Sequence, residues 1–378
     1  MRIRRIKALT HKEFVQMTRD VRALLGGLFI PLLMIFLYGY ALSLDVDRIP
    51  TLVLDESRSP VSREFIARIG DSRYFSVVRY LERQSEIDQA LARGEALLAI
   101  VIPVDFSPRV KQGMKVNIQA VLDGSDSNTA TIAMGYLKAV AAGFDMGIQE
   151  SRIRRAGLQM VDMPLEARIR VWFNPELKSK NFIIPGLSAV IMMSITCMMT
   201  ALSVSREKET GTMEQIFATP ITSGELLIGK LLPYLALGLV DMALVVGAGV
   251  IVFGVPFRGS YLTLLLTALF FLAGTLSWGL FISVASRSQL QASQIAMVSA
   301  MLPSFLLSGF IYPIENMPVV LQAITVIVPA RYFVEILKGL FLQGVGLSVL
   351  WPQLLALVIY ALLVLNVARK RFKKRLQV

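Results

Sequence analysis

Ser205-Arg-Glu-Lys-Glu-Thr-Gly-Thr-Met-Glu-Gln-Ile-Phe-Ala-Thr-Pro220 is a short polar insert between two long apolar runs. Five of its residues are charged. Its second half nevertheless reads as a small amphipathic helix. Thr212 and Gln215 have capping-box spacing, and Pro220 stops the helix. Met213, Ile216 and Phe217 then fall on one face at helical spacing. An apolar knob on a loop between membrane spans presents a surface to a soluble partner. The other reading is a helix lying on the lipid or packed on its own bundle.

The chain on either side decides that a membrane is involved. Of 378 residues, 54% are hydrophobic and only 17% charged, with a mean hydropathy of +0.60. A soluble chain carries about 25% charged residues. The formal charge of +12 sits mainly at the ends, with seven Lys/Arg in residues 1–23 and six in Arg369–Arg375. The polar region 45–180 is nearly balanced, with 19 basic and 18 acidic residues. Basic ends flanking spans are topology signals that also meet anionic lipid heads, and they exclude a nucleic-acid groove. Cys197 is the single cysteine and His11 the single histidine, so no disulfide framework, thiol or histidine zinc site, or Ser-His-Asp triad is expected. The amino-terminal apolar run is too long for a cleaved signal peptide.

Six spans are expected, at about Leu24–Leu44, Phe182–Val204, Leu226–Phe253, Leu262–Val284, Ala292–Tyr312 and Leu347–Val367. An even number with two basic ends places both termini in the cytoplasm, together with the segment 205–220 and the loop around Arg287. Residues 1–23 read as an interfacial helix, with Phe14, Met17, Val21 and Leu24 beneath a basic face. Gly26-Gly27 and Pro31 are the expected bend into the first span. Residues 368–378 form a basic cytoplasmic tail.

Residues 45–180 are then external and long enough for their own domain. Thr51–Leu54, Tyr74–Leu81, Ala96–Ile102, Val116–Leu122 and Ala167–Phe173 read as strands. Val61–Ile69, Ser85–Arg93 and Thr129–Arg154 read as helices. The fold class is therefore an α-helical integral membrane protein with six transmembrane helices and a mixed α/β extracytoplasmic domain between the first and second. Val53-Leu54-Asp55-x-Ser57-x-Ser59 recurs as Val121-Leu122-Asp123-x-Ser125-x-Ser127, which hints at two related halves. Helix capping by Asp55, Asp123, Asp126 and the serines accounts for these residues better than an anion site. In the external connection 313–346, Val319–Val328 and Tyr332–Leu342 are each too short to cross alone. There Arg331, Glu335 and Lys338 have the spacing of a salt-bridged stripe, and Glu315 lies just ahead.

Gly224-Glu-Leu-Leu-Ile-Gly229-Lys230-Leu231 matches a phosphate-binding loop except at its last position. That loop needs Ser or Thr on magnesium and a preceding strand, whereas Leu231 stands here and Thr222 with Glu225 caps a helix. Lys230 near a span end is expected to snorkel to the interface. Asp241 is embedded in the third span, either as part of a polar pathway or in a helix–helix hydrogen bond. No nucleophile–base pair is visible, so the chain is not read as an enzyme and is expected to hold no cofactor or metal itself.

This layout resembles the permease subunits of type-2 ATP-binding-cassette exporters, in the bacterial drug-efflux-like branch with an extracytoplasmic domain. The resemblance covers nearly the whole chain. It is carried by Ser203–Gln215, Leu307–Pro318, Leu122–Asn128 and Trp172-Phe-Asn-Pro175. It implies that Arg206, Glu207, Glu209, Gly211, Thr212, Glu214 and Gln215 form a coupling segment on a separate ABC ATPase subunit, which holds ATP and Mg. It also implies a second copy of the chain or a paralogue, in a bacterial inner membrane. The apolar spans suit hydrophobic or amphipathic molecules such as drugs. Lipid, polysaccharide or sodium export by the same machinery stays open. So does a mechanotransmitting scaffold for a conduit with a periplasmic adaptor and an outer-membrane channel.

Overall fold

The computed structural model describes residues 3–42, 47–155, 172–175 and 178–375. It divides into two compact units, Leu44–Ile169 and the remainder of the chain.

The larger unit is helical. It begins with α1 (Ile3–Arg19) and α2 (Val21–Ala41). The break between them falls at Asp20, not at Gly26-Gly27 or Pro31, which lie inside α2. The buried stripe of α1 is Leu9, Glu13 and Met17, at four-residue steps. Phe14 and Val21 are exposed, so the face expected from apolar residues alone is rotated from the buried one.

The inserted unit runs β1 (Ile49–Asp55), α3 (Pro60–Gly70), β2 (Phe75–Tyr80), α4 (Ser85–Ala92), β3 (Leu98–Ile102), α5 (Phe106–Gln112), β4 (Gln119–Leu122) and α6 (Ser127–Arg155). Its sheet has the order β2-β1-β3-β4, with β1 parallel to β2 and β3, and β4 antiparallel to β3. Alternate residues of β1 face opposite layers. Ile49 and Val53 pack with Phe65, Phe106 and Phe144, whereas Leu52 and Leu54 pack with Ile87. Pro60 and the Ser59–Ser62 capping box start α3. Asp55 accepts from the backbones of Ser57 and Arg58 and from the Ser62 hydroxyl, at 3.1, 3.0 and 2.7 Å. Asp123 accepts from the Ser125 N–H, and Asp126 from the Thr129 N–H at the start of α6.

The two copies of the repeated Asp-Ser phrase follow β1 and β4, which run in opposite directions, so they lie at opposite ends of the strands. Helix α5 was not expected. It is short and contains Pro108, but Gly113 ends it at φ +83°. The fifth expected strand lies mostly outside the described residues, and Trp172 and Phe173 are not in a strand.

The chain continues with α7 (Ser179–Glu209), α8 (Thr212–Phe217), α9 (Ser223–Ile251), α10 (Tyr261–Ala285), α11 (Gln289–Ala296), α12 (Leu302–Leu307), α13 (Val319–Thr325), α14 (Pro329–Lys338) and α15 (Leu347–Arg375). Six helical stretches among the described residues are long and apolar enough to cross a membrane: within α2, α7, α9, α10, α11–α12 and α15. A π-helical turn, Met297–Met301, joins α11 to α12. Pro303 lacks the N–H that would bond one turn back, and the wider turn absorbs the clash of its ring with that carbonyl. The stretches Val319–Thr325 and Pro329–Gln343 meet at 85°.

Helix α7 is the axis of the bundle. In its apolar window 78% of residues are buried, against 22% for the first, fifth and sixth stretches. Small and hydroxyl residues bring α7 and α10 together. The Thr196 and Thr275 hydroxyls meet at 3.1 Å, and the Ser205 N–H donates to Ser283 Oγ at 2.8 Å. A Cβ at Gly279 would overlap the Cys197 carbonyl and the Thr200 hydroxyl. Gly279→Val is therefore expected to destabilise the protein by about 1–3 kcal/mol or more. Gly247→Ala, where a Cβ meets nothing within 4 Å, is the neutral control. Thermal unfolding in detergent checks both, and equal midpoints would contradict this packing.

Candidate functional site

The last turn of α7 is Arg206-Glu-Lys-Glu209, and successive side chains on a helix point about 100° apart. Each therefore reaches a different element. Arg206 pairs with Asp20 at the α1–α2 break. Glu207 turns inward and is buried. The Lys208 ammonium donates to the carbonyls of Ser283, Val284 and Ser286 at 3.1, 2.6 and 3.3 Å, where a cation complements the carboxyl end of α10. The Glu209 carboxylate accepts the Gln289 N–H at 2.7 Å and its side-chain amide, at the positive end of α11.

Glu207 belongs to a four-charge cluster in which Glu13, Glu207 and Lys230 are buried and Lys12 is exposed. Lys230 of α9, completely buried, lies 2.6 Å from Glu207 Oε2 and 2.8 Å from Glu13 Oε1. Lys12 lies 2.6 Å from Glu207 Oε1 and 3.0 Å from Glu13 Oε1. Lys230 neutralises one buried carboxylate charge and the exposed Lys12 caps the other from the solvent side, so α1, α7 and α9 are tied by two lysines and two glutamates. Lys230 does not snorkel: its ammonium faces inward onto Glu13 and Glu207, and Leu9 packs onto the neighbouring Gly229, where a Cβ would come within 2.6 Å of the leucine. Gly229-Lys230 is thus a helix-packing and ion-pair position. The Thr222–Glu225 capping box starts α9, and Arg5 of α1 lies 3.8 Å from Glu225 and donates to the Pro220 carbonyl.

Burial pushes the Glu13 carboxyl up, but the ammonium groups of Lys230 and Lys12 outweigh it and hold it below its ordinary value. Its stabilising contribution is present above the ordinary carboxylate range and is lost as pH falls through the lowered value. Burial lowers Lys12, but its bond to Glu207 and the two carboxylate charges raise it above its ordinary value. Its contribution is complete below the ordinary lysine range and is lost as pH rises through the raised value. The tie is therefore whole at neutral pH.

The segment after α7 differs from expectation. Gly211, at φ +73°, stands at the N-cap position of α8, and Thr212 is its first helical residue with no capping box. The Thr212 hydroxyl donates to the Glu207 carbonyl at 3.3 Å. Met213 is buried and Ile216 packs on the bundle core, so the apolar knob faces its own helices. The Phe217 side chain lies outside the described ones. Gly211, Thr212, Glu214, Gln215, Ala218 and Thr219 are exposed.

The remaining candidates lie apart from this cluster. The Asp241 carboxyl is buried in α9 and neither oxygen has a hydrogen-bond partner among the described residues. Of the two readings of Asp241, the helix–helix hydrogen bond is not made among the described residues. Arg331, Glu335 and Lys338 do not pair with one another. Arg331 donates to Thr325 Oγ1 at 2.5 Å, Glu335 accepts from Gln353 at 3.0 Å, and Lys338 donates to the Gly309 carbonyl at 3.0 Å over the Phe182 ring. Glu315 is exposed.

Sequence reading missed Lys12, Glu13, Asp20 and Gln289. The signal was present in Glu13, an acid on the buried stripe of an otherwise basic helix, and in Lys230 within an apolar run. Each needs an opposite partner. Lys230→Met is expected to cost about 3–5 kcal/mol, because it leaves two buried carboxylates with one ammonium. Lys230→Met with Glu207→Gln restores neutrality and should recover part of the thermal midpoint. A double variant less stable than the single one would contradict the cluster.

Comparisons with known proteins bear on this arrangement. The family described as "ABC-2 family transporter protein" matches residues 22–370. "Probable multidrug ABC transporter permease YbhS" of Escherichia coli K12 is 39% identical over 99% of this chain and 98% of its own length. "Probable multidrug ABC transporter permease YbhR" of the same strain is 30% identical over 98% and 99%. "Inner membrane transport permease YhhJ", also from that strain, is 30% identical over 76% of each chain. In this family the permease works in a dimeric arrangement with an ABC ATPase that is a separate subunit. The multi-pass bundle, the tied end of α7 and these matches make the chain a permease subunit of the ABC-2 transporter family.

Proposed function

We propose that this permease exports hydrophobic or amphipathic small molecules, drugs among them, driven by ATP hydrolysis on its partner. ATP and Mg belong to that partner. The observation that carries the reading is the α7 end, where one helical turn holds α1, α9, α10 and α11 together and leads directly into the exposed part of α8. A push on α8 is then delivered to several spans at once. The names of the relatives, two of them multidrug permeases, support the substrate class.

The orientation belongs to the same reading. Basic residues crowd α1 and the end of α15, which supports a cytoplasmic location for both termini and for α8 in a bacterial inner membrane. The inserted α/β unit is then extracytoplasmic. Its edge strand β2 exposes Val78 and Tyr80, a surface suited to a periplasmic adaptor that leads to an outer-membrane channel. The second permease is a copy or a paralogue.

Docking uses the exposed residues Gly211, Thr212, Glu214 and Gln215. Arg206, Glu207 and Glu209 hold that surface in place from behind. Glu214→Arg with Gln215→Arg should leave membrane insertion and thermal stability unchanged and abolish co-purification of the ATPase. Retained co-purification with that double variant would remove the docking proposal.

A further inference from the structure

The inserted unit holds a cavity of about 340 Å³ between α3, α5, α6 and the segment 113–118. Its floor is the aromatic layer of Phe65, Phe106 and Phe144, all buried, with ring centroids 5.0, 6.1 and 6.4 Å apart. Val110, Val116 and Ile148 are half-buried and carry the apolar lining up the walls. Strand β4 begins only at Gln119, and residues 114–118 ahead of it are in neither helix nor strand. The layer that α3, α5 and α6 build over the sheet stays open to solvent beside this segment.

Three ionisable side chains stand in the lining: Lys115, Asp145 and Arg152. Asp145 accepts from the Gln149 side-chain amide at 2.8 Å. Neither Lys115 nor Arg152 has a hydrogen-bond or ion-pair partner for its side chain among the described residues. Other arginines of α3, α5 and α6 are paired, Arg68 with Glu64, Arg109 with Asp105 and Arg154 with Glu150. The Arg152 guanidinium lies against Gly113, with Nη1 2.6 Å from where a Cβ would stand. Gly113 thus both ends α5 at positive φ and leaves the seat that Arg152 occupies.

The sign of a ligand follows from these charges. A negative head group meets two cations that have no partner. A positive one meets repulsion from both, and the acid it could approach is already bonded. Burial of an apolar chain against the rings supplies most of the affinity, because charge pairs this exposed are worth little and act mainly on selectivity. The volume is near the lower end of the range of small-molecule sites, with room for one chain and not for a two-chain phospholipid.

We infer that this cavity binds a single-chain amphipathic anion of the fatty-acid kind, with its carboxylate at Lys115 and Arg152 and its chain against Phe106, Phe144 and Val110. The site lies within the inserted unit alone and does not depend on which molecules the spans export. It gives that unit a binding task of its own.

The test uses the full chain in nanodiscs without the ATPase, so that binding is read apart from transport. Met114→Cys, at an exposed position of the lining, is labelled with a maleimide. Cys197 is completely buried and serves as a silent background. Octanoate below its micellar concentration is the probe, and octyltrimethylammonium, of similar chain length and opposite charge, is the control. Octanoate should protect the thiol at about tenfold lower concentration than the cation, the effect of two exposed charge pairs near the upper end of their range. Lys115→Gln with Arg152→Gln should abolish that preference and leave the thermal midpoint in place. Val116→Cys gives an independent reporter if Met114→Cys is poorly folded. Discs of phosphatidylglycerol in place of phosphatidylcholine show whether a membrane lipid fills the site, and labelling without probe should be equal in the two. Equal protection by both ions, protection by neither, a preference that survives the double substitution, labelling already slowed by the anionic lipid, or thiols that never label would overturn the inference.

Discussion

A lysine with no access to solvent has to be neutralised where it stands. Lys230 is met by Glu207 from the end of α7 and Glu13 from α1, and Lys12 completes the set. A span helix, the central helix and the amino-terminal helix are therefore fixed to one another at a single point. Replacing the cluster by apolar side chains need not weaken the fold, but removing one member leaves an uncompensated buried charge. The interaction specifies which surfaces of α1, α7 and α9 face each other.

Around that point the structure spends its charged residues on connections. Arg206, Lys208 and Glu209 reach Asp20, the carboxyl end of α10 and the amino end of α11. Farther along the bundle, α7 relies on glycine and hydroxyl contacts with α10, which allow close approach but specify less. The stiff connections are thus concentrated at the end of α7 beside α8. A lever with one rigid end and a smoother shaft can tilt as a body.

Much of this was legible in the sequence. Long apolar runs gave the six membrane-crossing stretches, and short runs rich in apolar and β-branched residues gave β1 to β4, because each reports local burial. The Thr222–Glu225 cap was legible because both partners sit within one turn. The Thr212 cap was misread because Gly211 at positive φ takes the N-cap position. The buried face of α1 was misread because its central residue is Glu13, whose partner Lys230 stands 217 residues away. The π turn ahead of Pro303 and the inward face of α8 likewise depend on neighbours that local pattern does not reveal. Asp241 was conspicuous in both views, and its two oxygens have no partner among the described residues.

The central claim is that α1 and α8 belong to one rigid body built on the buried cluster. The direct measurement is the distance between spin labels at Lys7→Cys and at Ala218→Cys, which ends α8 outside the docking residues, both exposed, in the assembled transporter with and without trapped nucleotide. One unchanged, narrow distance in both states is predicted, broadening when Glu207→Gln is added. A distance that changes with nucleotide in the otherwise unaltered cluster would contradict the account.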